Sequence, residues 1–89
     1  PPKILSPQSA LTYYIQANPQ QQNRMLLHAN AAPRTQLIYW FADSRYLGAS
    51  PPTEPLSWQP TVGNFELQAM DDAGRGCTAR VSVGLERGG

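Results

Sequence analysis

Nucleophilic and acid–base chemistry need particular side chains within reach of one another, and this sequence supplies few of them. It has one histidine, His28, one cysteine, Cys77, and one lysine, Lys3. A Ser-His-Asp relay would have to pass through His28. Met25, Leu27 and Ala29 alternate with that residue in an extended run, so it reads as an ordinary strand-surface or edge histidine. A reactive thiol at Cys77 would need a cation or a helix N-terminus beside it. Cys77 instead shares a phase with Ala79 and Val81, which makes it a buried small hydrophobe. A structural zinc site takes four Cys or His ligands, and the chain has one of each. Asp71 and Asp72 could begin a calcium cage, but adjacent carboxylates at a strand end point apart, and calcium takes six or more oxygens. The pair reads as a solvated hairpin turn. No catalytic residue, cofactor or metal ligand is therefore expected.

Trp40 and Trp58 are the residues that could stack on sugar rings. Trp40 shares one face of its run with Ile38 and Ala42, which places it in the core. Trp58, between Pro55 and Pro60, stays open between core or sheet-edge packing and glycan contact.

The elements that must carry these residues are strands. Phe65, Leu67 and Ala69 alternate with polar residues, as do Cys77, Ala79, Val81 and Val83. Period two with one wet face predicts antiparallel sheet. Between these runs lies Asp71-Asp72-Ala73-Gly74-Arg75, where Gly74 can take positive φ and close a hairpin. Further strands are predicted over 24–29, 36–42, 45–49 and 56–59, with two short extended pieces near 3–6 and 11–16. The proline-rich segment 51–55 cannot be central strand or helix, because proline lacks the N–H donor. Asn18–Asn23, rich in Gln, reads as an exposed loop. About seven short strands with Pro, Gly and Asp turns predict a two-layer all-β sandwich.

The length of 89 residues fits one domain, which buries about 60% of the surface of its unfolded chain. Its stability should be on the order of 5–10 kcal/mol. Net charge is +1, and the seven basic residues are dispersed, so no stripe tracks a phosphate backbone and nucleic acid is not an expected partner. No apolar run approaches the ~20 residues that cross a bilayer, so no membrane contact by this segment is expected. The opening Pro1-Pro2-Lys3, without initiator Met or signal peptide, reads as the start of a piece excised from a longer chain, residues 1–89 forming a single domain.

The run Leu37-Ile38-Tyr39-Trp40-Phe41-Ala42-Asp43-Ser44-Arg45-Tyr46-Leu47-Gly48 carries a resemblance. With Ile4-Leu5-Ser6-Pro7, Pro55-Leu56-Ser57-Trp58-Gln59-Pro60, Gly63 and Asp71-Asp72-Ala73-Gly74-Arg75, it resembles the C-terminal domain family of bifunctional, class A penicillin-binding proteins of the 1C type. The family usually has Asp-Gly where this chain has Asp43-Ser44. A type I′ turn needs positive φ at both central residues, so the turn is either of another type or strained. The resemblance implies a small immunoglobulin-like antiparallel β-sandwich. It implies a periplasmic location, within a parent anchored in the inner membrane that carries a peptidoglycan glycosyltransferase and a serine transpeptidase. The partners it implies are the other domains of that parent and a periplasmic macroglobulin-like protein or peptidoglycan.

Two functions follow from different classes. One is a non-catalytic accessory module acting by protein contact or spacing. The other is a carbohydrate-binding module recognising peptidoglycan glycan strands, with Trp58 as its contact. For protein docking, period two puts Tyr39 and Phe41 outward whenever Trp40 faces the core. With neighbouring strands at 63–70 and 76–84, Gln68, Met70 and Arg80 join that face. A penicillin-sensitive transpeptidase needs a nucleophilic Ser three residues before a Lys. No Ser precedes Lys3, so the chain should stay unlabelled when incubated with a fluorescent penicillin and run on a denaturing gel. A covalent band on it would show an acylation site that the sequence does not contain.

Overall fold

In a computed structural model, which describes residues 2–9, 12–16 and 23–86, the described residues form two packed sheets and include no helix. The strands are β1 (Lys3–Ser6), β2 (Thr12–Gln16), β3 (Met25–Asn30), β4 (Ile38–Ala42), β5 (Arg45–Ser50), β6 (Leu56–Trp58), β7 (Gly63–Asp71) and β8 (Gly76–Glu86). One sheet has the order β1-β3-β6 and the other β2-β8-β7-β4-β5. The predicted alternation is what builds the interior. Ile38, Trp40, Ala42, Leu67, Ala69, Ala79, Val81 and Val83 face inward from the larger sheet, and Leu27 and Ala29 from the smaller one.

The strands number eight among the described residues because the first edge strand is split. β1 pairs antiparallel with β3. The chain then crosses at Pro7, which is fully buried, and β2 joins the other sheet beside β8. That pair is parallel, a departure from the expected all-antiparallel sandwich. The chain keeps its direction as it changes sheets, and parallel neighbours need only a long connection, which the rest of the domain provides. The loop predicted over Asn18–Asn23 lies outside the described residues except for Asn23. The Asn23 amide donates to Gln16 O at 2.9 Å and accepts from Gln16 N at 3.1 Å, standing in for a strand partner on the outer edge of β2.

Trp40 is 1% exposed and the largest fully buried side chain. Its lateral neighbours leave it room: Ala69 on β7 and Gly48 on β5 pair with it directly. The β4–β5 hairpin closes through Asp43 and Ser44, with φ of 48° and 69°. Both central residues are left-handed, as a type I′ turn requires, without the glycine that relieves its strain. Asp43 is held in place: its N–H donates to Glu66 O and its Oδ1 accepts from Glu66 N, each at 2.9 Å. A bulge follows at Leu47, so Phe41 pairs with Tyr46 but Trp40 with Gly48.

The β7–β8 turn is not the solvated pair of carboxylates expected from sequence. Asp71 is 2% exposed. It occupies the inward phase after Leu67 and Ala69, and its oxygens accept from the N–H groups of Ala73 and Arg75 and from Arg75 Nε at 2.9–3.0 Å. Burial alone would raise its pKa, but the N–H bonds of Arg75 and Ala73 and the Arg75 charge outweigh it and hold the carboxyl below its ordinary value. Asp72 points away and accepts from Gln36 N at 2.9 Å, tying this turn to the β3–β4 connection. Gly74 takes the left-handed φ of 83° that closes the loop, as predicted.

Two substitutions test this framework. Trp40→Ala should cost ~3–5 kcal/mol, enough to unfold much of the population near body temperature; melting within a degree or two of the parent would place Trp40 outside the core. Ser44→Gly should be neutral or stabilise by up to ~1 kcal/mol, because relief at a left-handed position competes with the added unfolded-state freedom of glycine. A clear loss in chemical denaturation would mean that Ser44 does not hold positive φ.

Candidate functional site: the outward face of the larger sheet

The side chains opposite Trp40 in phase form the outer surface of the five-stranded sheet. Tyr39 pairs with Met70, and Phe41 with Gln68. All four are half-buried. Across the hairpin, Tyr46 stands beside Phe41, ring centroids 5.6 Å apart and planes tilted by 57°. Tyr46 is 57% exposed, so the cluster has one ring embedded in the sheet and one projecting from it. Such pairs contribute roughly 0.5–1.5 kcal/mol beyond area burial.

Arg80 is on the same face but does not join this cluster. It pairs with Glu66, its Nε 3.8 Å from Oε2, and both side chains are exposed. An ion pair of this kind contributes little to stability. With Asn64 and Ser82, whose hydroxyl donates to Asn64 Oδ1 at 2.7 Å, these residues line a shallow open depression of about 510 Å³. The face is thus divided into an aromatic and Met patch over β4, β5 and the end of β7, and a polar band over the middle of β7 and β8. Beyond the band, Tyr14 lies over Gly84, where an added Cβ would meet the ring at 3.1 Å. Residues 39, 41, 68 and 70 therefore come together as expected, and Arg80 sits in the polar band instead of among the aromatics.

Trp58 takes the core-side position. It is half-buried, packs against the core, and meets Phe65 edge-on, centroids 5.2 Å apart at 89°. Both rings also line a groove of about 360 Å³ with Asp43, Arg45, Gln59 and Thr61. His28 is half-buried, and its Nε2 lies 3.0 Å from Pro52 O, fastening the proline-rich connection to β3. Cys77 is half-buried, and burial pushes its thiol up against a smaller opposing hydrogen bond from the Ile4 backbone, which keeps it a poor nucleophile at neutral pH.

Two participants escaped the sequence reading. Tyr46 is in the cluster because the two-residue turn sets it opposite Phe41, a pairing that could have been counted from Asp43-Ser44. Arg45 lines the groove because it pairs with the inward Ala42, a phase that counting from the same turn would also have given.

Set against known proteins, the chain matches the penicillin-binding protein C-terminus family over residues 1–83. It belongs to that family. Its fold is similar to that of the fibronectin(III)-like modules of Clostridium thermocellum CbhA, with a TM-score of 0.72 at 15% identity, covering 97% of this chain and 99% of the other. At that identity the likeness is one of fold alone. No curated protein matches the chain. Among the described residues no helix is long and apolar enough to cross a membrane.

Proposed function

We propose that this domain is a non-catalytic C-terminal accessory module of a periplasmic, inner-membrane-anchored bifunctional peptidoglycan synthase, and that it acts by protein contact through the outward face of its larger sheet. Membership of the penicillin-binding protein C-terminus family supports the cell-wall setting. The observation that carries the contact is the patch of Tyr39, Phe41, Tyr46 and Met70, half-buried or exposed on one face. Aromatic and Met side chains are enriched at protein interfaces.

The face suits docking better than the two edges of its own sheet do. The edge of β2 is occupied at Gln16 by the Asn23 amide. The edge of β5 is bent by the Leu47 bulge and by Gly48, with φ of 147°, where an added Cβ would meet the Leu56 side chain at 3.2 Å. Both devices oppose strand addition. Four side chains fall well short of the ~800 Å² per partner of a stable free-standing interface. A partner on the same polypeptide does not need that much, because tethering raises its effective concentration to the millimolar range. The transpeptidase domain of the parent is therefore the occupant that fits.

Tyr39→Ser combined with Phe41→Ser should leave the circular dichroism spectrum unchanged and abolish association with the parent's transpeptidase domain. If the double variant unfolds, or still binds as the parent sequence does, this face serves sheet packing and the reading is wrong.

A further inference from the structure

A second surface lies at the end of the sandwich remote from the β7–β8 turn, where the two sheets part. Its floor is the perpendicular pair Trp58 and Phe65, which together give the groove an apolar corner. Its rim is Arg45, Gln59, Thr61 and Asp43. Arg45 is the unexpected member. It pairs with the buried Ala42, so it takes the core-side phase of its sheet, a position held elsewhere by Trp40 and Ile38. The side chains of Arg45, Gln59 and Thr61 have no hydrogen-bond or ion-pair partner among the described residues. Asp43 has one carboxylate oxygen committed to Glu66 N.

We infer that this groove is a saccharide-binding site, selective for a sugar that carries acetamido or carboxyl oxygens. Compact ligand sites combine an apolar, aromatic lining with a few convergent polar groups. A sugar ring matches that division, with C–H groups on one face and oxygens around its edge. The rim determines which sugar. Arg45 offers five N–H donors and no acceptor, and Gln59 and Thr61 add further donors. A ligand rich in acceptors satisfies them, and an acetamido carbonyl or a carboxylate is a stronger acceptor for guanidinium than a hydroxyl. The remaining oxygen of Asp43 takes a sugar hydroxyl. The size agrees: about 360 Å³ is at the low end of ligand sites and holds one or two rings rather than an extended peptide. The groove shares no residue with the Tyr39 and Phe41 patch, so either proposal can fail without the other.

The test is amide chemical-shift mapping on the ¹⁵N-labelled chain. A tetrasaccharide of β-1,4-linked N-acetylglucosamine, the corresponding glucose tetrasaccharide and a neutral tetrapeptide are titrated separately. The N-acetylated sugar should shift the Trp58 indole N–H and the amides of Arg45, Gln59 and Thr61, and should bind more tightly than the glucose sugar. Arg45→Ala and Gln59→Ala, both at exposed positions, should keep the dispersed spectrum of a folded chain, and Arg45→Ala should weaken binding about tenfold. Four results would overturn the inference. They are no shifts at millimolar saccharide, shifts confined to the Tyr39 and Phe41 face, an equal response to the two sugars or to the tetrapeptide, and unchanged binding by Arg45→Ala.

Discussion

The burial of one indole fixes most of what this domain can present to its surroundings. Trp40 lies between the sheets with two small residues, Ala69 and Gly48, paired to either side of it, and a side chain added at Gly48 would run into Leu56 of the facing sheet. In a strand of period two, an inward Trp40 leaves Tyr39 and Phe41 no choice but to point outward. The register with β7 then brings Met70 and Gln68 against them. A slip of one residue would bury the two outward aromatics and expose the indole, so the core and the outer patch are two consequences of one constraint. The bulge at Leu47 belongs to the same solution. It turns Leu47 toward the core, keeps Gly48 beside the indole and returns Ser50 to the buried phase, where its hydroxyl donates to Glu54 O at 3.0 Å.

The two ends of the sandwich are built differently. At the end holding the β7–β8 turn, every connection is tied by a polar side chain. Asp71 organises its own hairpin, Asp72 holds the β3–β4 segment, His28 holds Pro52, and Ser50 closes the turn after it. No buried side-chain nitrogen or oxygen among the described residues lacks a partner. This is the condition under which buried polar groups add rigidity instead of costing stability. At the other end, the aromatic layer runs out at Trp58 and Phe65 and is followed by Arg45, Gln59 and Thr61, whose side chains have no hydrogen-bond or ion-pair partner among the described residues. A structure that satisfies one end so fully, and leaves donors free over an apolar floor at the other, separates the task of holding its shape from that of meeting a ligand.

What could be read from the sequence follows the physics of alternation. The phases of Trp40, Leu67, Ala69, Val81 and Val83, and the outward placement of Tyr39 and Phe41, come from period two alone. Gly74 was legible because few residues other than glycine close such a turn cheaply. The misreadings concern features that local pattern does not encode. Asp71 looks like a surface carboxylate until the hairpin folds its own N–H groups and Arg75 around it. Such burial depends on partners that the turn creates. The parallel β2–β8 pair depends on where the chain changes sheets at Pro7, which alternation says nothing about. Arg45 and Tyr46 were within reach, since a two-residue turn at Asp43-Ser44 fixes their phases. The turn was in doubt only because Ser44 is a poor candidate for positive φ.

That choice of residue connects the hairpin to the groove. Asp43 and Ser44 both hold left-handed φ, a conformation that costs ordinary residues about 1–2 kcal/mol. Asp43 recovers part of this through its paired bonds to Glu66, one from its backbone and one to its carboxylate. A glycine at 43 would be easier on the backbone but would lose the carboxylate bond. The consequence is positional. The bonds to Glu66 clamp the hairpin tip onto β7, the strand that carries Phe65 toward the groove, and Arg45 leaves the turn one residue later. A hairpin free to fray would leave the direction of the exposed Arg45 side chain unset, and its donors would converge on nothing. Clamped, Arg45 lines the groove together with Trp58 and Phe65, with no hydrogen-bond or ion-pair partner among the described residues. The strain in the turn is thus the local cost of fixing the direction of Arg45, the basic residue of this groove.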